Sequence, residues 1–260
     1  GRLLFDRKEG GEINLADVDQ DLMRTIRGNE IGMIFQEPMT ALNPVLTIER
    51  QLEEVLSAHS QMSGAERRAR IRDILSLVRL PDVERMCRSY PHQLSGGQRQ
   101  RVMIAMALAL SPRLMIADEP TTALDVTTQL QILKLIRELQ REDGAGILFI
   151  THDFGVVAEI ADHVVVLRHG EVVEQGPAAQ VLNDPRHPYT QALIASVPEG
   201  AADQLRAIPG SVPPPHDMPP GCRFAPRCDH ALPQCTSRVP ETSHPEASRS
   251  SRCIRWKEVC

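Results

Sequence analysis

The chain has 260 residues, 42% of them apolar and 24% charged, which is enough to bury a core and far from the composition of a disordered chain. With 29 Lys plus Arg against 34 Asp plus Glu, the net charge is -5. That excludes a chain-wide basic footprint for nucleic acid, and 3% aromatic residues leave little for base stacking. The longest uninterrupted apolar run, Val102 to Leu110, is nine residues, well short of the roughly 20 a membrane-crossing helix needs.

In chain order, Leu3 to Phe5 and Ile13 to Leu15 read as strands around the Gly10-Gly11 turn, followed by a charged helix through Arg27. Ile31 to Phe35 reads as a strand that runs at Gln36 into a loop broken by Pro38, Asn43 and Pro44. Apolar residues then recur at helical spacing from Thr47 to about Leu80, in two amphipathic helices separated by the Ser63/Glu66 capping-box pattern. Leu94-Ser95-Gly96-Gly97 opens a helix that meets no breaker through Leu110.

Beyond it, apolar runs at 114–117, 147–150 and 164–167 alternate with helical patterns at 127–142 and 154–160. This alternation predicts a parallel sheet. His169-Gly170 between 164–167 and Val172-Val173 predicts a hairpin. After Leu182 the composition turns Pro-rich, and four of the six cysteines lie between 222 and 253, which predicts a separate appendage.

Two places carry chemistry. The run Leu114 to Ala117 ends in Asp118-Glu119, and the strand ends of α/β sheets are where ligands bind. In a nucleoside triphosphatase the first carboxylate would hold Mg²⁺ and the second would orient the water that attacks the γ-phosphate; the alternative is a strand followed by an acidic turn. Ser95-Gly96-Gly97-Gln98 at a helix start offers backbone N–H groups, a hydroxyl and a positive helix end to an anionic phosphate.

The segments LSGGQRQR at 94–101, LMIADEPTTALD at 114–125 and Thr151-His152-Asp153 together resemble the ATP-binding subunit of ABC transporters. The resemblance implies an α/β fold of the P-loop nucleoside-triphosphatase kind, a mostly parallel sheet flanked by helices with an added helical subdomain at about 45–105. It also implies ATP and Mg²⁺ as ligands. By the same resemblance Gln36 is the Q-loop glutamine near Mg²⁺, Ser95, Gly96, Gly97 and Gln98 form the signature loop, and Asp118 and Glu119 are the metal-holding and catalytic acids. Asp125 becomes the D-loop acid and His152 the switch histidine.

Phe35 to Pro44, Ala117 to Val126 and His187-Pro188-Tyr189-Thr190-Gln191-Ala192-Leu193 narrow the resemblance to the oligopeptide and dipeptide importers. This implies a second ATP-binding subunit in a head-to-tail dimer, two permeases, an extracytoplasmic binding protein acting indirectly, and no nucleic acid. It places the chain at the cytoplasmic face of a bacterial inner membrane. Nickel and glutathione importers share the motifs, so peptide or a related small solute is the expected cargo. A soluble ABC ATPase acting on DNA or ribosomes is disfavoured by the His187-Pro188-Tyr189 segment and the Cys-rich tail.

No segment matches GxxxxGK[ST]. The expectation is therefore a chain cut before its P-loop and inactive alone, with a catalytically silent partner subunit as the alternative. The expected division is an ATPase domain at 1–182 and a Pro/Cys-rich C-terminal extension at 183–260. Cys222, Cys228, Cys235 and Cys253 fit neither a CxxC zinc pattern nor a common ferredoxin spacing. The importer resemblance implies a [4Fe-4S] cluster there; zinc or unligated thiols are the alternatives.

Overall fold

The computed structural model describes residues 1–37, 41–121, 124–197 and 207–258. Pro38, Met39 and Thr40 of the Q-loop motif, Thr122 and Ala123 before the D-loop, and Cys260 lie outside the described residues. Two compact units make up the chain, Gly1–His152 and Asp153–Cys260.

In the first unit, β1 (Leu4–Asp6) and β2 (Glu12–Asn14) form an antiparallel hairpin. Helix α1 (Gln20–Ile26) begins at Asp19, whose side chain accepts from the Leu22 N–H, the usual answer to unpaired N–H groups at a helix start. Strand β3 (Ile31–Ile34) follows. A helical block comes next: α2 (Ile48–His59), α3 (Gly64–Leu77), α4 (Val83–Arg88) and α5 (Gly96–Leu108). The Ser63/Glu66 capping box is present at the start of α3. Leu52 and Leu56 of α2, Ile71 and Ile74 of α3 and Met86 of α4 are buried, at the helical spacing that puts each set on one face. Each such side chain contributes about 1.5–3 kcal/mol when withdrawn from water.

Strand β4 (Leu114–Asp118), helix α6 (Val126–Asp143) and strand β5 (Gly146–Ile150) complete this unit. The sheet order is β3-β4-β5, all parallel. Its alternation is two-sided: Ile34, Met115 and Ala117 are buried, while Met33, Leu148 and Ile150 on the other face are exposed. Gly32 permits α5 to lie against β3, since a Cβ there would stand 2.5 Å from the Ala107 carbonyl oxygen. Packing on α5 thus sets the position of the strand that leads to Gln36.

The second unit opens with α7 (Phe154–Ile160), then β6 (His163–Arg168) and β7 (Glu171–Pro177), joined through His169 at φ 48 and Gly170 at φ 77. Two consecutive left-handed residues are what a tight hairpin turn demands. Helices α8 (Ala178–Asn183), α9 (Pro188–Ala195) and α10 (Pro233–Ser237) and strands β8 (Ser243–Glu246) and β9 (Arg249–Ser251) follow.

The tail of the chain contributes strands to the sheet of this unit. Strand β9 pairs with β7, Glu174 opposite Ser251 and Gln175 opposite Ser250, giving the antiparallel order β6-β7-β9-β8. A buried ion pair, Arg249 Nη2 to Glu174 Oε1 at 3.0 Å, accompanies the pairing. Among the described residues no helix is long and apolar enough to cross a membrane.

Candidate functional site

The parallel pairing of β3 with β4 brings Gln36 to Glu119 across 83 positions of sequence. Gln36 Nε2 donates to Glu119 Oε2 at 3.1 Å, and His152 Nδ1 lies 3.0 Å from Glu119 Oε1. With an ionised Glu119 the imidazole proton belongs on Nδ1, because a carboxylate only accepts. The Glu119 side chain is 21% exposed and that of His152 75% exposed, so the acid is sheltered and the imidazole stands toward solvent.

Glu119 reaches this place through an unusual backbone. Its N–H still donates to the Ile150 carbonyl at 2.9 Å, extending the β4–β5 ladder by one bond, while its φ of 44 turns the chain sharply out of the sheet. A left-handed non-glycine residue costs on the order of 1–3 kcal/mol, and such strain concentrates at functional sites. Asp118, the last residue of β4, is half-buried one position earlier. Asp153 caps α7: its carboxylate accepts from the N–H groups of Gly155 and Val156.

The Ser95 to Gln98 turn is a complete capping box. Ser95 Oγ accepts from the Gln98 N–H at 3.3 Å, and Gln98 Oε1 accepts from the Ser95 N–H at 2.9 Å. Ser95 and Gly96 are exposed. Asp125 caps α6 with Oδ1 accepting from the Thr128 N–H at 3.0 Å and Oδ2 from the Thr128 hydroxyl at 2.7 Å. The Thr128 hydroxyl and N–H hold the Asp125 carboxyl below its ordinary range.

Sequence reasoning gave no signal at Arg99-Gln100-Arg101, where Gln100 is buried and Arg101 donates to the Val78 carbonyl and to Gln131 Oε1, each at 2.9 Å. It also passed over Thr128. The signal was a hydroxyl residue three positions after a helix-capping acid.

The cysteine expectation is corrected. Among the described residues no group of three or more His, Cys, Asp or Glu side chains is placed to hold a metal ion, which overturns the [4Fe-4S] cluster and the zinc alternative alike. Cys222, Cys228, Cys235 and Cys253 line one cavity together with Phe224 and Ala225. Burial pushes the Cys222 and Cys228 thiols up, away from the thiolate form that ligation requires. Cys87, also buried, is pushed up to about 11.

Comparison with known proteins gives the class of protein to which this fold and site belong. The ABC transporter family model matches residues 3–122, and the model for the oligopeptide/dipeptide transporter C-terminal region matches residues 173–235. A Brucella ovis protein named for peptide import and ATP binding is 49% identical over all of this chain and 79% of its own length. The oligopeptide transport ATP-binding protein AppD of Bacillus subtilis is 49% identical over 95% of this chain and 78% of its own. A dimeric, post-hydrolysis structure of the ATP-binding cassette MJ0796 with ADP and Pi is similar at 37% identity and a TM-score of 0.58, covering 67% of this chain and 75% of that one.

The chain therefore belongs to the ATP-binding proteins of ABC transporters, in their oligopeptide/dipeptide group. The same match corrects another expectation. It runs from residue 3 through residue 122, so truncation ahead of the nucleotide-binding segment is not supported, and the inactivity inferred from truncation falls with it. The silent-partner alternative rested on the same premise. It also sits poorly with a chain that assembles Gln36, Glu119 and His152 into one site.

Proposed function

We propose that this chain is the ATP-hydrolysing subunit of an importer for peptides or a related small solute, working in a head-to-tail pair with a second ATP-binding subunit. Two permeases and, indirectly, an extracytoplasmic binding protein complete the transporter, and the chain lies peripherally at the cytoplasmic face of the membrane. The names of its relatives favour peptide cargo, and the dimeric cassette structures favour the pair. The Pro- and Cys-rich region from 183 onward is the importer-type C-terminal extension on this reading.

The observation that carries the reading is Glu119 held between Gln36 and His152 at the end of β4. In that position the carboxylate takes the proton of a water attacking the terminal phosphate, and His152 fixes the direction from which it does so. Because Gln36 Nε2 donates to Glu119, the Gln36 amide oxygen is left as a hard donor. With the Asp118 carboxylate it suits Mg²⁺, whose chemistry, when bound, is positive charge beside the phosphoryl oxygens. Ser95, Gly96, Gly97 and Gln98 present the amino end of α5, with its unpaired N–H groups, to the phosphates of a nucleotide held by the facing subunit.

Substituting Glu119→Gln tests the assignment. ATP turnover falls about 100-fold or more, nucleotide binding is retained, and size exclusion in ATP and Mg²⁺ shows an accumulated dimer. Turnover within a few-fold of the parent protein would end the role given to Glu119.

A further inference from the structure

Thr128, the third residue of α6, touches both the D-loop acid Asp125 and the signature turn at Gly97. Its hydroxyl and its N–H both donate to the Asp125 carboxylate, at 2.7 and 3.0 Å. Its other branch, the Cγ2 methyl, faces Gly97, and a Cβ built on that glycine would stand only 2.9 Å from it. Threonine branches at Cβ, so a hydroxyl pinned by Asp125 also fixes the direction of the methyl. Further along the same pair of helices, Arg101 of α5 reaches Gln131 of α6 at 2.9 Å and ties the two elements a second time.

We propose that Thr128 is a positioning residue that couples the D-loop carboxylate Asp125 to the signature glycine Gly97, so that the two turns move as one body when nucleotide binds. The proposal rests on the reading that both turns face nucleotide. It assigns the absence of a side chain at residue 97 partly to this internal contact and not only to room for a phosphate. The methyl bears on Gly97, and the hydroxyl sets the methyl. Changing either half at Thr128 therefore has a different, separable effect.

Three variants of the full chain, assembled with its permeases, test this through steady-state ATP hydrolysis with kcat and KM resolved. Gly97→Ala forces the Thr128 methyl to move and lowers kcat about tenfold or more, as sub-ångström to ångström misplacements of catalytic elements do. Adding Thr128→Ser removes the obstructing methyl while keeping the hydroxyl on Asp125, and restores kcat to within about threefold of the Thr128→Ser single variant. Thr128→Val keeps a methyl toward Gly97, removes the hydroxyl bond to Asp125 while leaving the backbone N–H bond in place, and lowers kcat severalfold with the KM for ATP unchanged. Its thermal unfolding midpoint stays with the parent, which separates misplacement from misfolding.

A double variant no more active than Gly97→Ala, an undiminished Gly97→Ala, or a Thr128→Val of parental rate each overturns the proposal. Failure of the parent protein itself to hydrolyse ATP would instead sink the functional reading beneath it.

Discussion

His152 Nδ1 and Glu119 Oε1 are 3.0 Å apart, and the histidine is the more exposed of the two by a wide margin. An exposed imidazole tethered to a sheltered acid costs little fold stability to remove, so its loss is read in chemistry. His152→Ala lowers kcat by about 10- to 100-fold, with ATP affinity within about twofold of the parent. Equal losses in binding and turnover would show that His152 merely holds nucleotide.

Ser95 separates helix capping from phosphate recognition. Aspartate caps a helix as well as serine does, so Ser95→Asp leaves the thermal midpoint nearly unchanged. The added negative charge faces the partner's phosphates and weakens the ATP-driven dimer by about tenfold or more, since it opposes the helix-end field that attracts an anion. Sedimentation in ATP with the Glu119→Gln background measures it, and an undisturbed dimer would remove Ser95 from the interface.

His187 makes the second unit sensitive to mild acid. Burial lowers its pKa from 6.5 to about 4, and its Nδ1 accepts the Tyr189 N–H at 3.0 Å, a bond only the unprotonated nitrogen can make. Below pH 6.5 the unfolded chain takes up a proton that the folded chain refuses until about pH 4. Stability is therefore whole above pH 6.5 and declines toward pH 4, by as much as about 3 kcal/mol. Denaturant midpoints followed across this window decline in the parent and much less in His187→Asn, which keeps a neutral cap. Parallel slopes would contradict the assignment.

Glu174 and Arg249 are 0% and 1% exposed and face each other at 3.0 Å. Glu174 Oε1 and Oε2 also accept the N–H groups of Arg186 and His187. Glu174→Ala leaves a buried guanidinium and two N–H groups without this acceptor and costs about 3–5 kcal/mol. Calorimetry of the second unit's transition in the full chain checks it, and a loss below about 1 kcal/mol would place solvent at the pair.

Much of the site was readable in the sequence because local signals and chain order coincide there. Ser95 and Asp125 cap the helices that follow them, and the apolar run ending at Asp118 is a strand whose register with β3 and β5 then draws Gln36 and His152 toward Glu119. The strand pairing of the tail was not legible, for the opposite reason. Arg249-Ser250-Ser251 is buried and paired, but a polar strand has none of the apolar alternation by which strands are recognised.

Cysteine spacing was equally uninformative, because ligation depends on where the thiols point and how they ionise, neither of which is written in their separation. Nothing in the sequence marks Arg101 as tied down, since a long side chain on a helix gives no hint that its head returns to a carbonyl.

The pairing of β9 with β7 has a consequence for the order of events during synthesis. Glu174 leaves the ribosome some seventy-five residues before Arg249, so a nascent chain must hold that carboxylate in water, and the hairpin edge beside it uncovered, until Arg249 has followed. The second unit's sheet closes only when β9 arrives, and a chain that stops short of it would keep an open edge rather than form a shorter domain.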